Sequence, residues 1–143
     1  MLSVILLASV LVAVTVAVHT VGLALLLRSL MKSSSMLPTR VWPITLMLIR
    51  MAFWLMIISL VEIAIWGLFY LSQGCLPDAE SAFYFSGVTY TSIGYGDVVL
   101  AKHWRMLGPV EGLTGLLMCG LSAGLFFAVV SRIYTSRVEA RRR

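Results

Sequence analysis

The run Thr91-Ser92-Ile93-Gly94-Tyr95-Gly96-Asp97 sets two glycines on either side of a tyrosine, with hydroxyl residues before them and a carboxylate after. That combination makes sense as specialised backbone. A hard cation stripped of its water wants several oxygens, and a short strand supplies them if its carbonyls all point one way. This requires dihedrals at every second residue that a Cβ disfavours. Gly94 and Gly96 permit them. Copies of such a strand around an axis would stack rings of carbonyls from Ser92, Ile93, Gly94 and Tyr95, with the Ser92 hydroxyl adding a ring at the inner end. The side chains of Ile93 and Tyr95 would point away from the ions and wedge the strand in place, and Gly96 completes the candidate ion-binding set.

The elements that must hold this run are membrane elements. The chain has 143 residues, 60% of them hydrophobic and 12% charged, a balance no soluble globule can cover with polar surface. The net charge of +5 does not point to nucleic acid, because the basic residues sit at the ends of apolar runs rather than on one polar face. Their expected partners are lipid head groups. Cys75 and Cys119 make neither a disulfide framework nor a metal site. Cys119, inside an apolar run, reads as a small core residue. No cofactor is implied.

Taken in order, residues 1–27 form an uncharged apolar run longer than the ~20 residues a membrane crossing needs, without the basic start or small-residue cleavage site of a signal peptide. This is a first transmembrane helix, expected to pack outside the second with Val10, Val14 and Val18 toward lipid. Residues 28–41, with Arg28, Lys32, Pro38 and Arg40, read as a cytoplasmic linker by the positive-inside rule. Trp42 marks an interface, and a second helix is expected over 44–71, with Trp66 and Tyr70 in an outer aromatic belt. Residues 79–90 form a short segment, N-capped by Asp78 and too short to span. A third membrane helix covers 107–133, and a basic tail covers 134–143. Nine basic residues then lie inside against Lys102 and Arg105 outside, which puts the C-terminus in the cytoplasm and the N-terminus outside.

Four charged or titratable residues are singled out at membrane depth. Arg50 can snorkel to the head groups. Glu62 lies roughly 18 Å further along the same helix and cannot, so it must be neutral or paired. His19, approached from the same side, falls at a similar depth and is one candidate partner. Glu111 reads as a structural acceptor bonded to groups of the short helix.

The six residues Ser92 to Asp97 resemble the potassium-channel signature T-x-G-Y-G-D, with serine in place of the usual threonine. That change keeps the hydroxyl and loses a methyl that stiffens the side chain. The resemblance implies an all-α membrane protein: three transmembrane helices per subunit, a re-entrant pore helix over 79–90, a selectivity-filter strand over 91–97, and a homotetrameric pore. The pore module would occupy 42–133 and carry K+ across the plasma membrane, with anionic lipid at the cytoplasmic face. It further implies that Tyr84 and Phe85 form an aromatic cuff around Tyr95, and that Thr89, Thr91 and Asp97 support the filter. Gly115 matches the family's inner-helix hinge. Val88 stands where some bacterial channels have a glutamate that bonds the carboxylate after the filter, so Asp97 lacks that partner. Cys75 resembles, in position, the linked outer caps of some two-pore-domain potassium channels.

Rival classes fare less well on residues. An intramembrane enzyme would need a paired-aspartate motif, a His-Glu-x-x-His or a serine with a neighbouring base, and none is present. A non-conducting accessory subunit would not need Gly94, Tyr95 and Gly96 together. A less selective cation channel is the nearest alternative, given Ser92.

Overall fold

The computed structural model describes residues 2–33 and 41–142. It contains four helices: α1 Leu2–Ser33, α2 Val41–Ser72, α3 Ala79–Tyr90 and α4 Leu107–Arg142. Spans within α1, α2 and α4 (Ser3–Lys32, Trp42–Ser72 and Leu107–Glu139) are long and apolar enough to cross a membrane. The 12-residue α3 is about 18 Å long and cannot cross a ~30 Å hydrocarbon layer. It lies between α2 and α4, while α1 packs against both of those long helices.

Two of the helices run further than the sequence suggests. Helix α1 continues through Arg28 and Lys32 to Ser33, and α4 continues through Arg137 to Arg142. Arginine, lysine and glutamate are good helix formers, and no glycine or proline interrupts either extension. Pro38, Arg40 and the rest of residues 34–40, half of the expected linker, lie outside the described residues, as does Arg143.

The turn from α2 into α3 is written in local chemistry. Gly74 takes φ +62°, and the Cys75 amide reaches back to the Tyr70 carbonyl at 2.9 Å, a glycine-terminated helix end of the Schellman type. Four residues later Asp78 caps α3, its Oδ1 accepting from the Ser81 amide at 2.8 Å and its Oδ2 from the Ser81 hydroxyl at 2.9 Å. The Ser81 amide, seconded by its hydroxyl, holds the Asp78 carboxyl below the usual carboxylate range.

Several expectations are corrected by the packing. No strand occurs among the described residues: residues 91–97 run as turns and irregular chain, because a backbone that alternates hands has no ladder to share with a neighbour. Trp66 and Tyr70 are not belt residues but fully buried, since their polar tips find partners inside the subunit. Cys75 is a free, buried thiol packed among Trp66, Tyr70 and Leu76, and that burial pushes it upward from the ordinary thiol value. Cys119 is exposed rather than core. Val10 and Val14 are exposed as expected, whereas Val18 is half-buried. The opposite side of α1 is not merely peripheral, however. The Trp66 indole N–H donates to the Thr15 hydroxyl at 3.0 Å, and the Trp54 indole N–H to the Gly22 carbonyl at 2.9 Å.

Candidate functional site

Segment 91–97 begins by folding back over the end of α3. The amides of Thr91 and Ser92 donate to the carbonyls of Gly87 and Thr89, and those of Ile93 and Gly94 both reach the Val88 carbonyl, at 2.9 to 3.2 Å. The Thr91 hydroxyl adds a bond to the Gly87 carbonyl at 2.6 Å. With the N–H groups of residues 91–94 committed to α3, this part of the segment is free to present its own carbonyls elsewhere.

The hand of the backbone then alternates. Ser92, Gly94 and Gly96 have φ of 60°, 57° and 78°, and they are, with Gly74, the described residues with positive φ. Ile93 and Tyr95 between them stay on the negative side. Alternation of this kind turns successive carbonyls to one side, which an ordinary strand cannot do. Glycine enters the left-handed region without penalty, whereas Ser92 carries a Cβ there at a cost of about 1–2 kcal/mol. The bond from its amide to Thr89 helps hold it. The side chains of Ile93 and Tyr95 are exposed on the subunit surface.

The aromatic pair on α3 divides its work. The Phe85 ring meets Tyr70 edge-on at 5.2 Å, inside the subunit. The Tyr84 hydroxyl donates to Asp97 Oδ2 at 2.7 Å, so Asp97 has a partner that the loss of glutamate at Val88 concealed. That bond holds the Asp97 carboxyl below the usual range and pushes the Tyr84 hydroxyl above its own. Neither ring stacks on Tyr95, but Tyr84, Phe85, Val88 and Tyr95 line one open cavity of about 310 Å³.

Behind the segment, the buried stripe of α3 is Ala82, Ser86 and Tyr90, spaced four apart and therefore on one face. Two buried carboxylates meet this stripe. Glu111 of α4 accepts from the Tyr70 hydroxyl at 2.7 Å and the Ser86 hydroxyl at 2.5 Å, and Ser86 also lies 2.9 Å from the Ile63 carbonyl of α2. Glu62 of α2 accepts from the Tyr90 hydroxyl through Oε2, and its Oε1 lies 3.0 Å from His19 Nδ1. His19 Nε2 is 3.3 Å from the Ser122 hydroxyl of α4. His19 and Glu62, matched in sequence only by depth, are thus brought together. Every buried side-chain nitrogen and oxygen among the described residues has a partner.

Gly115 of α4 packs tightly against the end of α3. A Cβ there would overlap the Tyr90 carbonyl oxygen, so only glycine lets the two helices cross at that depth.

Tyr90, Ser86 and Ser122 were not singled out by sequence, and Tyr70 only as a belt residue, although all four hold the site together. The one available signal was the four-residue spacing of Ser86 and Tyr90.

A model of an ion-channel family, the two-transmembrane-helix pore family typical of potassium channels, matches residues 56–132, more than half of the chain. The matched region runs from within α2 through α3 and segment 91–97 into α4. Compared with curated proteins and with solved structures, the chain matches none.

Proposed function

The chain belongs to this ion-channel family, and from that premise we propose that four copies assemble into a potassium-selective pore. The observation that carries the reading is the alternation of left-handed φ at Ser92, Gly94 and Gly96. It suits a stack of carbonyl rings from Ser92 to Tyr95 that replaces the hydration shell of K+. In this reading 91–97 is the selectivity filter, α3 the pore helix, α2 the outer helix and α4 the inner one.

Assembly accounts for the surfaces a single chain leaves open. The exposed Ile93 and Tyr95 would face neighbouring subunits, and the cavity shared by Tyr84, Phe85 and Tyr95 would take a side chain from the next copy, completing the cuff. Gly115 sits where a bend in α4 would loosen its hold on the end of α3. The basic ends of α1 and α4 would meet anionic lipid at the cytoplasmic face, with the N-terminus outside. Nothing but K+ itself need bind.

The decisive measurement is the reversal potential of purified protein in planar bilayers under a potassium-to-sodium gradient. It should lie close to the potassium equilibrium potential. A value near zero would favour the less selective cation channel, for which Ser92, carrying a Cβ in the left-handed region, gives a specific reason. Gly96→Ala should abolish conduction while leaving the tetramer intact by size-exclusion chromatography, since alanine resists the positive φ required there.

A further inference from the structure

Helix α1 lies outside the region matched by the two-helix pore family, residues 56–132, yet it reaches the ion-binding segment through one carboxylate. Both oxygens of Glu62 are engaged, Oε1 with His19 of α1 and Oε2 with the hydroxyl of Tyr90. Tyr90 is the last residue of α3, two positions before Ser92. Its side chain is pinned to α2 and its carbonyl is pressed against Gly115 of α4. Wherever Tyr90 is held, the inner end of the segment is held too.

The proton bookkeeping of this cluster is constrained by its surroundings. His19 and Glu62 are fully buried. Facing them are Tyr90 from α3, Ser122 from α4, and, beside the Tyr90 hydroxyl, Ser59 of α2 and Cys119 of α4. The other ionisable groups of α1 and α2 are Arg28, Lys32, Arg50 and Tyr70, more than two helical turns away along the chain. An ionised Glu62 has only acceptors, and in that state it requires a proton on His19 Nδ1. The second nitrogen then has two choices. It can accept from the Ser122 hydroxyl when the ring is neutral, or donate to the same oxygen when the ring is charged. Ser122 serves either state by rotating one O–H, and no polar atom is orphaned in either. The two states differ by one unit of charge.

We propose that α1 is a positioning element for the filter: His19 holds Glu62, Glu62 holds Tyr90, and ion discrimination at the inner end follows the proton held by His19. The inference rests on the reading of 91–97 as a filter. A charged imidazolium makes a stronger bond to the carboxylate than a neutral ring does. It therefore draws the shared carboxylate toward α1 and loosens its hold on Tyr90, so preference for K+ over Na+ should decline on acidification.

Bilayer recordings of the full-length channel at several values between pH 5 and 8, with the K+/Na+ permeability ratio as readout, test this. Tyr90→Phe removes one hydroxyl and should lower the ratio about tenfold at neutral pH, the effect of one buried hydrogen bond. His19→Asn keeps a donor where Nδ1 stands but cannot titrate within this range. It should retain the neutral-pH ratio of the wild type and lose the pH dependence, which a merely structural contact would leave in place. A wild-type channel that selects K+ with a ratio independent of pH overturns the inference, as does a His19→Asn channel with the wild-type pH profile. A wild-type channel with no K+ preference instead overturns the filter reading itself, and is told apart by that alone. Because His19→Asn preserves the bond, it decides the matter even if Tyr90→Phe fails to assemble.

Discussion

Glu62 and Glu111 are both fully buried, and each binds a hydroxyl on the same face of α3, one turn apart at Tyr90 and Ser86. They differ in what completes the shell. Glu111 takes its second bond from Tyr70, another hydroxyl, and the whole cluster lies within residues 56–132. Glu62 takes its second contact from an imidazole on α1, outside that region. Hydroxyls of serine and tyrosine stay uncharged near neutral pH, so neither donor of the Glu111 cluster changes its charge there. The imidazole of the Glu62 cluster can. The family-matched region therefore carries a fixed brace at Ser86 and an adjustable one a turn later at Tyr90, the C-terminal end of α3, and the adjustable one is where α1 joins.

The largest effect expected from breaking this comparison is at the fixed brace. Glu111→Leu leaves the Tyr70 hydroxyl buried without an acceptor, while Ser86 can still turn to the Ile63 carbonyl. One orphaned hydroxyl and the lost bonds should cost about 3 kcal/mol, seen as a lowered unfolding midpoint in detergent. Adding Tyr70→Phe should recover most of that loss, since removing both partners of a buried bond is nearly neutral. No change in the single variant would mean the cluster is not a brace.

A smaller effect tests whether α1 is fastened by polar bonds or by apolar packing alone. Thr15→Val preserves shape and removes the acceptor of the buried Trp66 indole N–H. The expected cost is about 1–3 kcal/mol, read as earlier loss of protection of α1 amides in hydrogen exchange, with the Glu111 cluster unaffected. If α1 and α3 lose protection together, the two clusters form one cooperative unit and the contrast between them dissolves.

How much of this was readable beforehand depends on the kind of residue involved. Gly94 and Gly96 announced their φ because glycine has few other reasons to flank a tyrosine, and Asp78 announced a helix start because its side chain can satisfy the amide it caps. His19 and Glu62 could be paired by counting rise along two helices. Tyr90 could not be found, because a tyrosine among aromatics reads as packing until the carboxylate that meets its hydroxyl is known. The same ambiguity hid Tyr70 and Trp66, whose places near a helix end suit a lipid interface equally well. Ser92 escaped for a different reason: nothing in its type signals a left-handed φ, which here is shared out by the alternation of its neighbours. The exposure of Cys119 turned on the phase of a helix apolar on all sides, and composition cannot set that phase.

The smallest effect belongs to the exposed counterpart of these two clusters, Tyr84 with Asp97, where solvent competes for the same bond. The Tyr84 hydroxyl lowers the folded-state value of Asp97. Its contribution is therefore complete above the ordinary carboxylate value and is lost as pH falls through the lowered one. Tyr84→Phe should move Asp97 back toward its ordinary value. The acid limb of channel activity would then begin at higher pH, while stability at neutral pH changes little because both groups face water. The measurement is open probability against external pH in wild type and variant. The shift should appear with acid on the Asp97 side only, whereas a response through His19 and Glu62 alters ion discrimination and disappears in His19→Asn. If Tyr84→Phe leaves the acid limb in place, the bond does not hold Asp97 in the assembled channel. The outer end of the segment would then depend on the neighbouring copy rather than on its own α3.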